Sequence, residues 1–146
     1  MKYESMKKTE LIAMIRQIEN EKMNSPGSIC ELLHKMKIDH SRENFILIVL
    51  DNRLRILLNK VLFTGGAESS MVDLKILFRV ALTIKKCSSI IIAHNHPSND
   101  CTPSKEDISL MKGVQEACKI VGIKFLDSII FSELFHHSMQ ESGDLT

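Results

Sequence analysis

The chain has 146 residues, a formal charge of +1 and 25% charged side chains, which is the profile of one globular domain and not of a disordered or strongly basic chain. No apolar run approaches the ~20 residues of a membrane-spanning helix and no signal-peptide pattern opens the chain, so a cytoplasmic protein without membrane contact is expected. Cys30, Cys87, Cys101 and Cys118 form no C-x-x-C pair, and reduced thiols are expected in place of a disulfide scaffold.

Between Ser5 and Lys22, Leu11, Ile12, Met14, Ile15 and Ile18 recur with a helical period, and Asn24-Ser25-Pro26-Gly27 interrupts it. This predicts an N-terminal helix and linker over residues 1–27 ahead of a main domain over 28–146. A short helix is expected from about Ser28 to Met36, with a serine N-cap and Ile29, Leu32 and Leu33 on one side. The β-prone runs Phe45–Leu50 and Leu54–Phe63, joined at Asp51-Asn52-Arg53, read as a hairpin that Gly65-Gly66 ends. Ser69-Ser70 then caps a long helix from about Met71 to Lys86. Its polar residues Lys75, Arg79 and Thr83 recur every four positions, which predicts a mostly buried helix. A strand Ser88–Ala93, a loop Pro97–Pro103 and a helix from Ser104 to about Val121 follow, the helix turning Ile108, Met111, Val114 and Cys118 inward. Gly122 occupies the place of a left-handed C-terminal cap. Ile123–Phe131 reads as a strand, and the last dozen residues as a short edge strand. The order predicts an α/β domain, a mixed β-sheet flanked by helices.

The chemistry concentrates at His94-Asn95-His96-Pro97. On an extended strand, residues i and i+2 face the same way, so both imidazoles can converge on one point. Asp107, eleven residues beyond His96, offers an oxygen ligand. Three protein ligands with a fourth place for water describe a catalytic zinc and hence a metallohydrolase. Ser104-x-x-Asp107 also has a purely structural reading as a capping box at a helix start, and the two readings are compatible. A hydrolase needs a proton acceptor, for which Glu43, at the head of the Phe45–Leu50 strand, is the candidate; it reads equally as an edge charge paired with Arg42. Cys101 lies near the motif and is a weaker ligand candidate with an exposed thiol. His34 and His40 lie among polar residues, and His136-His137 read as surface or edge positions. H-E-x-x-H, the phosphate loop, the G-x-S-x-G elbow and the zinc-deaminase cysteine pair are all absent from the sequence.

Glu43, His94-x-His96-Pro97 and Ser104-x-x-Asp107 together resemble the JAMM signature of the JAB/MPN metalloprotease fold. More closely, the chain resembles the RadC branch of that superfamily. Ala93-His94-Asn95-His96-Pro97-Ser98, Pro103-Ser104-x-x-Asp107-Ile108, Gly122-Ile123, Leu126-Asp127 and Ser138-x-x-Glu141-x-Gly143 carry the likeness, which covers about Ser28 to Leu145. The resemblance implies a cytidine-deaminase-like α/β fold and zinc held by His94, His96 and Asp107. It further implies Glu43 as general acid/base, Ser104 as hydrogen-bond donor to an oxyanion, and hydrolysis of a peptide or isopeptide amide in a peptide or protein substrate. Gly65-Gly66 stands where relatives have Gly-Thr, Ser98-Asn99 where they have Ser-Gly, and Ser128 where many carry histidine; none of these is a presumed ligand.

Two alternatives accompany the hydrolase. One is a DNA-repair or DNA-processing accessory. Near-neutral charge, one Tyr, no Trp and no evident N-terminal helix-hairpin-helix oppose tight autonomous DNA binding and leave weak or indirect nucleic-acid association. The other is a metal-binding module without catalysis, for which an intact Glu43 would have no use.

Overall fold

Two segments are apolar along nearly their whole length, and both become central strands. In the computed structural model, which describes residues 7–19, 25–65 and 72–146, these are β1 (Glu43–Leu50) and β3 (Ser89–Asn95). Every residue of β3, and every residue of β1 after Glu43, is buried, as expected of strands covered on both faces. The other elements are α1 (Lys8–Glu19), α2 (Pro26–Lys35), β2 (Ile56–Gly65), α3 (Leu74–Thr83), α4 (Lys105–Val121), β4 (Lys124–Phe131), β5 (His136–Ser138) and α5 (Met139–Ser142).

The sheet order is β2-β1-β3-β4-β5. β1 runs antiparallel to both β2 and β3, β3 runs parallel to β4, and β5 closes the far edge antiparallel to β4. The single parallel pair requires a crossover connection, and α4 supplies it. Strand alternation sends the side chains to two cores. Phe45, Leu47, Val49, Ile90 and Ile92 pack with Leu77 and Ala81 of α3 and with Met111, Val114 and Cys118 of α4. Ile46, Ile48, Leu50, Ile91 and Ala93 pack on the opposite face with Ile29, Cys30 and Leu33 of α2. The expected mixed sheet between helices is therefore present.

Several boundaries differ from the sequence expectation for local reasons. α2 starts at Pro26, with Ser25 as N-cap; Ser28 is the partner residue of the capping box, and Pro26 suits the first helical turn because its missing N–H has no intrahelical role there. β2 begins two residues late because Leu54 adopts a left-handed conformation (φ 60°) in the turn. The Asp51 carboxylate holds that turn by accepting the N–H groups of Arg53 and Arg55, both at 2.9 Å. α3 is shorter than expected at both ends and is capped by Asp73. It is also not mostly buried: Leu77 and Ala81 face the core, while Ile76 and Leu82 are 39% and 50% exposed. The expected cap Ser69-Ser70, Met71 and Gly66 lie outside the described residues, as do Ser5 and Lys22 at the expected ends of α1. β3 runs two residues further than expected and takes His94 and Asn95 into the sheet. Ile108 is half-buried, the other three expected inward residues of α4 are buried, and Gly122 has the left-handed conformation (φ 82°) that its place required.

The C-terminal segment is tied down by one carboxylate. Asp127 of β4 accepts the Ser138 hydroxyl at 2.5 Å and the Gln140 N–H at 3.0 Å. Burial pushes its carboxyl above the ordinary value, and these hydrogen bonds pull the other way. Asp127→Ala strands the buried Ser138 hydroxyl and the half-buried Gln140 N–H and loosens β5 and α5. A loss of about 1–3 kcal/mol is expected in urea unfolding, with early amide exchange confined to residues 136–146.

Candidate metal centre

Pairing between β1 and β3 sets Phe45 opposite His94. Two residues further, the same face carries Glu43 from β1 and His96 from the end of β3. The His96 N–H donates to the Phe131 carbonyl at 3.0 Å, which anchors the exit of β3 onto β4. The first turn of α4 then delivers Asp107 between the two rings. His94 Nε2 stands 3.4 Å from Asp107 Oδ1, and His96 Nε2 stands 3.4 Å from Asp107 Oδ2. Glu43 Oε1 is 3.9 Å from His94 Nε2. Ligand atoms of all four residues lie within 4.8 Å of one another.

Three observations fit a divalent cation. First, the spacing is right: ligands about 2.0–2.1 Å from a tetrahedral centre stand about 3.3–3.4 Å apart, and both His–Asp separations are 3.4 Å. Second, His94 is 2% exposed and neither ring nitrogen has a hydrogen-bond partner among the described residues. A buried polar group left unpaired is costly, and coordination at Nε2 would satisfy it. Its ring is held by stacking on Phe45, centroids 6.3 Å apart and planes 15° apart. Third, the Asp100 carbonyl accepts from His96 Nδ1 at 2.7 Å, which fixes the tautomer and leaves the Nε2 lone pair facing the cluster.

Burial alone would raise the Asp107 carboxyl. Contacts with His94 and His96 and the Ser104 N–H outweigh it, and the group is held well below the ordinary carboxylate range as an anion. The same contact with Asp107 raises the His96 imidazole; burial opposes the rise and the Asp100 carbonyl adds to it. Only the neutral ring is a ligand, so a cation and a proton compete for His96 Nε2. Two imidazoles and a carboxylate suit Zn²⁺ and other first-row divalent ions.

The structure thus brings Glu43, His94, His96 and Asp107 together. Ser104 stands behind Asp107: its hydroxyl oxygen accepts the Asp107 N–H at 3.0 Å, and its own N–H donates to Asp107 Oδ2 at 2.9 Å. The capping box is real, and it aims the carboxylate at the histidines. Glu43 faces His94, not Arg42, and its side chain is 47% exposed. Cys101 departs from expectation: it is buried, its thiol donates to the Phe135 carbonyl at 3.5 Å, and it is no member of the cluster. His34 contacts the Ser132 carbonyl, and His40 meets the edge of Phe131, so both brace the end of β4. His137, on the edge strand, pairs with Asp144 at 2.8 Å. All four cysteines are free. A polar cavity of about 220 Å³ adjoins His96, flanked by His40, Ser41, Asn99 and Glu133.

Sequence reading passed over one pair. Asn44 and Asn95 are 3% and 1% exposed and hydrogen-bonded to each other, and both neighbour a residue of the centre in sequence. The available signal was an amide at the polar end of each of two apolar runs, Asn44 ahead of Phe45–Leu50 and Asn95 behind Ile90–Ala93.

Residues 23–144 match the family described as RadC-like JAB domain. A UPF0758 protein of Desulforamulus reducens is 37% identical over 118 residues, 81% of this chain and 52% of the relative. A UPF0758 protein of Clostridium perfringens is 33% identical over 147 aligned residues, 95% of this chain and 64% of the relative. One from Methanosarcina mazei is 34% identical over 122 residues, 84% of this chain and 53% of the relative. The chain therefore spans between about half and just under two thirds of the length of these relatives. Among the described residues, no helix is long and apolar enough to cross a membrane.

Elemental analysis of protein purified without a His-tag should find about one divalent metal per chain, with markedly less in His96→Ala and Asp107→Ala. In chelator-stripped protein, Ser104→Ala should cost about 1 kcal/mol in thermal unfolding, as loss of an N-cap does.

Proposed function

The chain belongs to the RadC-like JAB domain family, and we propose that it is a zinc-dependent hydrolase of a peptide or isopeptide amide bond. One observation supports this above the others: a division of labour among the four residues. His94, His96 and Asp107 are buried or half-buried and point at one another, while Glu43 reaches the same cluster with nearly half its side chain open to solvent. Ligands belong inside, where they are held; a proton carrier must touch both water and substrate.

Zn²⁺ held by His94, His96 and Asp107 supplies Lewis acidity, polarising a carbonyl and making water easier to deprotonate. Glu43 takes the proton from the attacking water as the new C–O bond forms at the amide carbon. It returns that proton to the amide nitrogen as the C–N bond breaks, so the products are a carboxylic acid and an amine. Ser104 uses an oxygen lone pair for the helix cap, and its hydroxyl hydrogen has no acceptor among the described residues, so it can serve as the donor that a developing oxyanion requires. The cavity beside His96 has room for a polar substrate side chain next to the scissile bond.

Glu43→Gln removes the proton carrier without removing a buried ligand. It should retain the metal and lose at least ~100-fold in kcat on peptide or isopeptide-linked substrates, read as cleavage products by mass spectrometry. Metal retention with the parent no more active than Glu43→Gln on either substrate class would overturn the hydrolase and leave a metal-binding interaction module.

A further inference from the structure

Asn95 separates the two histidines in sequence but projects to the other face of the sheet, the one covered by α2, because strand side chains alternate. There its single amide grips both peptide groups that flank Glu43. Nδ2 donates to the Arg42 carbonyl at 2.8 Å, and Oδ1 accepts the Asn44 N–H at 2.7 Å. Asn44 completes the arrangement. Its Nδ2 donates to the Asp39 and Arg42 carbonyls at 2.9 and 3.0 Å, and its Oδ1 accepts the Thr64 hydroxyl at 3.0 Å. Fully satisfied buried amides of this kind rigidify what they join.

The joint lies where the backbone ladder stops. Pairing of β1 with β3 ends at Phe45 and His94, so no ladder hydrogen bond ties Glu43 to the strand that carries the histidines. The Asn95 side chain spans that gap. The Arg42 carbonyl and the Asn44 N–H, on either side of the Glu43 residue, both find a partner in this one amide.

We propose that Asn95 is the positioning residue of the centre: by clamping the Arg42–Glu43 and Glu43–Asn44 peptide groups it sets the Glu43 carboxylate relative to His94 and His96. It touches neither ligand nor substrate and acts through the backbone. This rests on Glu43 being the proton carrier, and the two can fail separately.

The test uses the full chain with ¹³C-labelled glutamate and histidine, titrated with Zn²⁺, the Glu43 carboxyl resonance being assigned by its loss in Glu43→Gln. In the parent, the Glu43 carboxyl and the His94 and His96 ring resonances should all respond. In Asn95→Ala the ring responses should persist and the Glu43 response should be lost. On a cleaved substrate, kcat should fall roughly 10–100-fold with KM unchanged, and Asn95→Ala should cost nothing further in the Glu43→Gln background. A Glu43 response equal to that of the parent, or a kcat loss that adds to that of Glu43→Gln, overturns the proposal; so does a parent whose Glu43 ignores Zn²⁺. A parent that hydrolyses nothing defeats the hydrolase alone, and the resonance titration still decides the positioning role. If Asn95→Ala does not fold, Asn95→Asp, equal in size but without the Nδ2–H donor to Arg42, is read by the same criteria.

Discussion

The antiparallel pairing of β1 with β3 is the constraint from which the rest of the molecule follows. It joins the two most buried strands, divides their side chains between two cores, and decides which polar residues share a face at the strand ends. Side chains alternate with a period of two, so a slip of one residue would carry Glu43 to the α2 face, away from the histidines, and would at the same time turn Phe45, Leu47 and Val49 out of their core. Hydrophobic burial in the middle of the sheet thereby enforces the geometry of a polar cluster at its end. Few local interactions at the centre could hold such a register by themselves.

The polar end is where the fold bears a cost. His94 is as buried as the isoleucines that precede it, yet among the described residues both its ring nitrogens lack hydrogen-bond partners. Its position is tolerable because Phe45 supports one ring face and the Asp107 carboxylate stands nearby, held as an anion. A cation at this point would give Nε2 a partner and balance the carboxylate together, so its binding would relieve part of a folded-state penalty.

Asp107 shows how a single residue serves two levels of structure. Its N–H and one carboxylate oxygen complete the capping box with Ser104, which starts α4. The same carboxylate spans His94 and His96. Helix starts favour an acid in the first turn because free N–H groups point outward there. The cap therefore orients the carboxylate toward the histidines at no extra conformational cost, and the capping-box and candidate-ligand readings of Ser104-x-x-Asp107 share one geometry.

Much of this was legible in the linear chain. Continuous apolar runs announced β1 and β3, β-prone residues on either side of Asp127-Ser128 announced β4, the serine-acid spacing announced α4, and Gly122 marked its end; these signals are local, carried by periodicity and by caps a few residues long. The His94-x-His96 pair was legible for the same reason, since a period of two puts both rings on one side of any strand. Differences at α2 and α3 arose where Ser25, three residues ahead of Ser28, took the cap, and where an apolar helix face exceeded the core available to cover it. Other features belonged to the tertiary structure alone: that Glu43 joins Asp107 beside His94, that Cys101 turns inward, and that Asn95 reaches back to Arg42 and Asn44. Each depends on which distant segment lies alongside. Strand partnership is settled by the joint burial of β1 and β3 across some fifty residues of chain, a through-space energy that no local pattern in either segment contains.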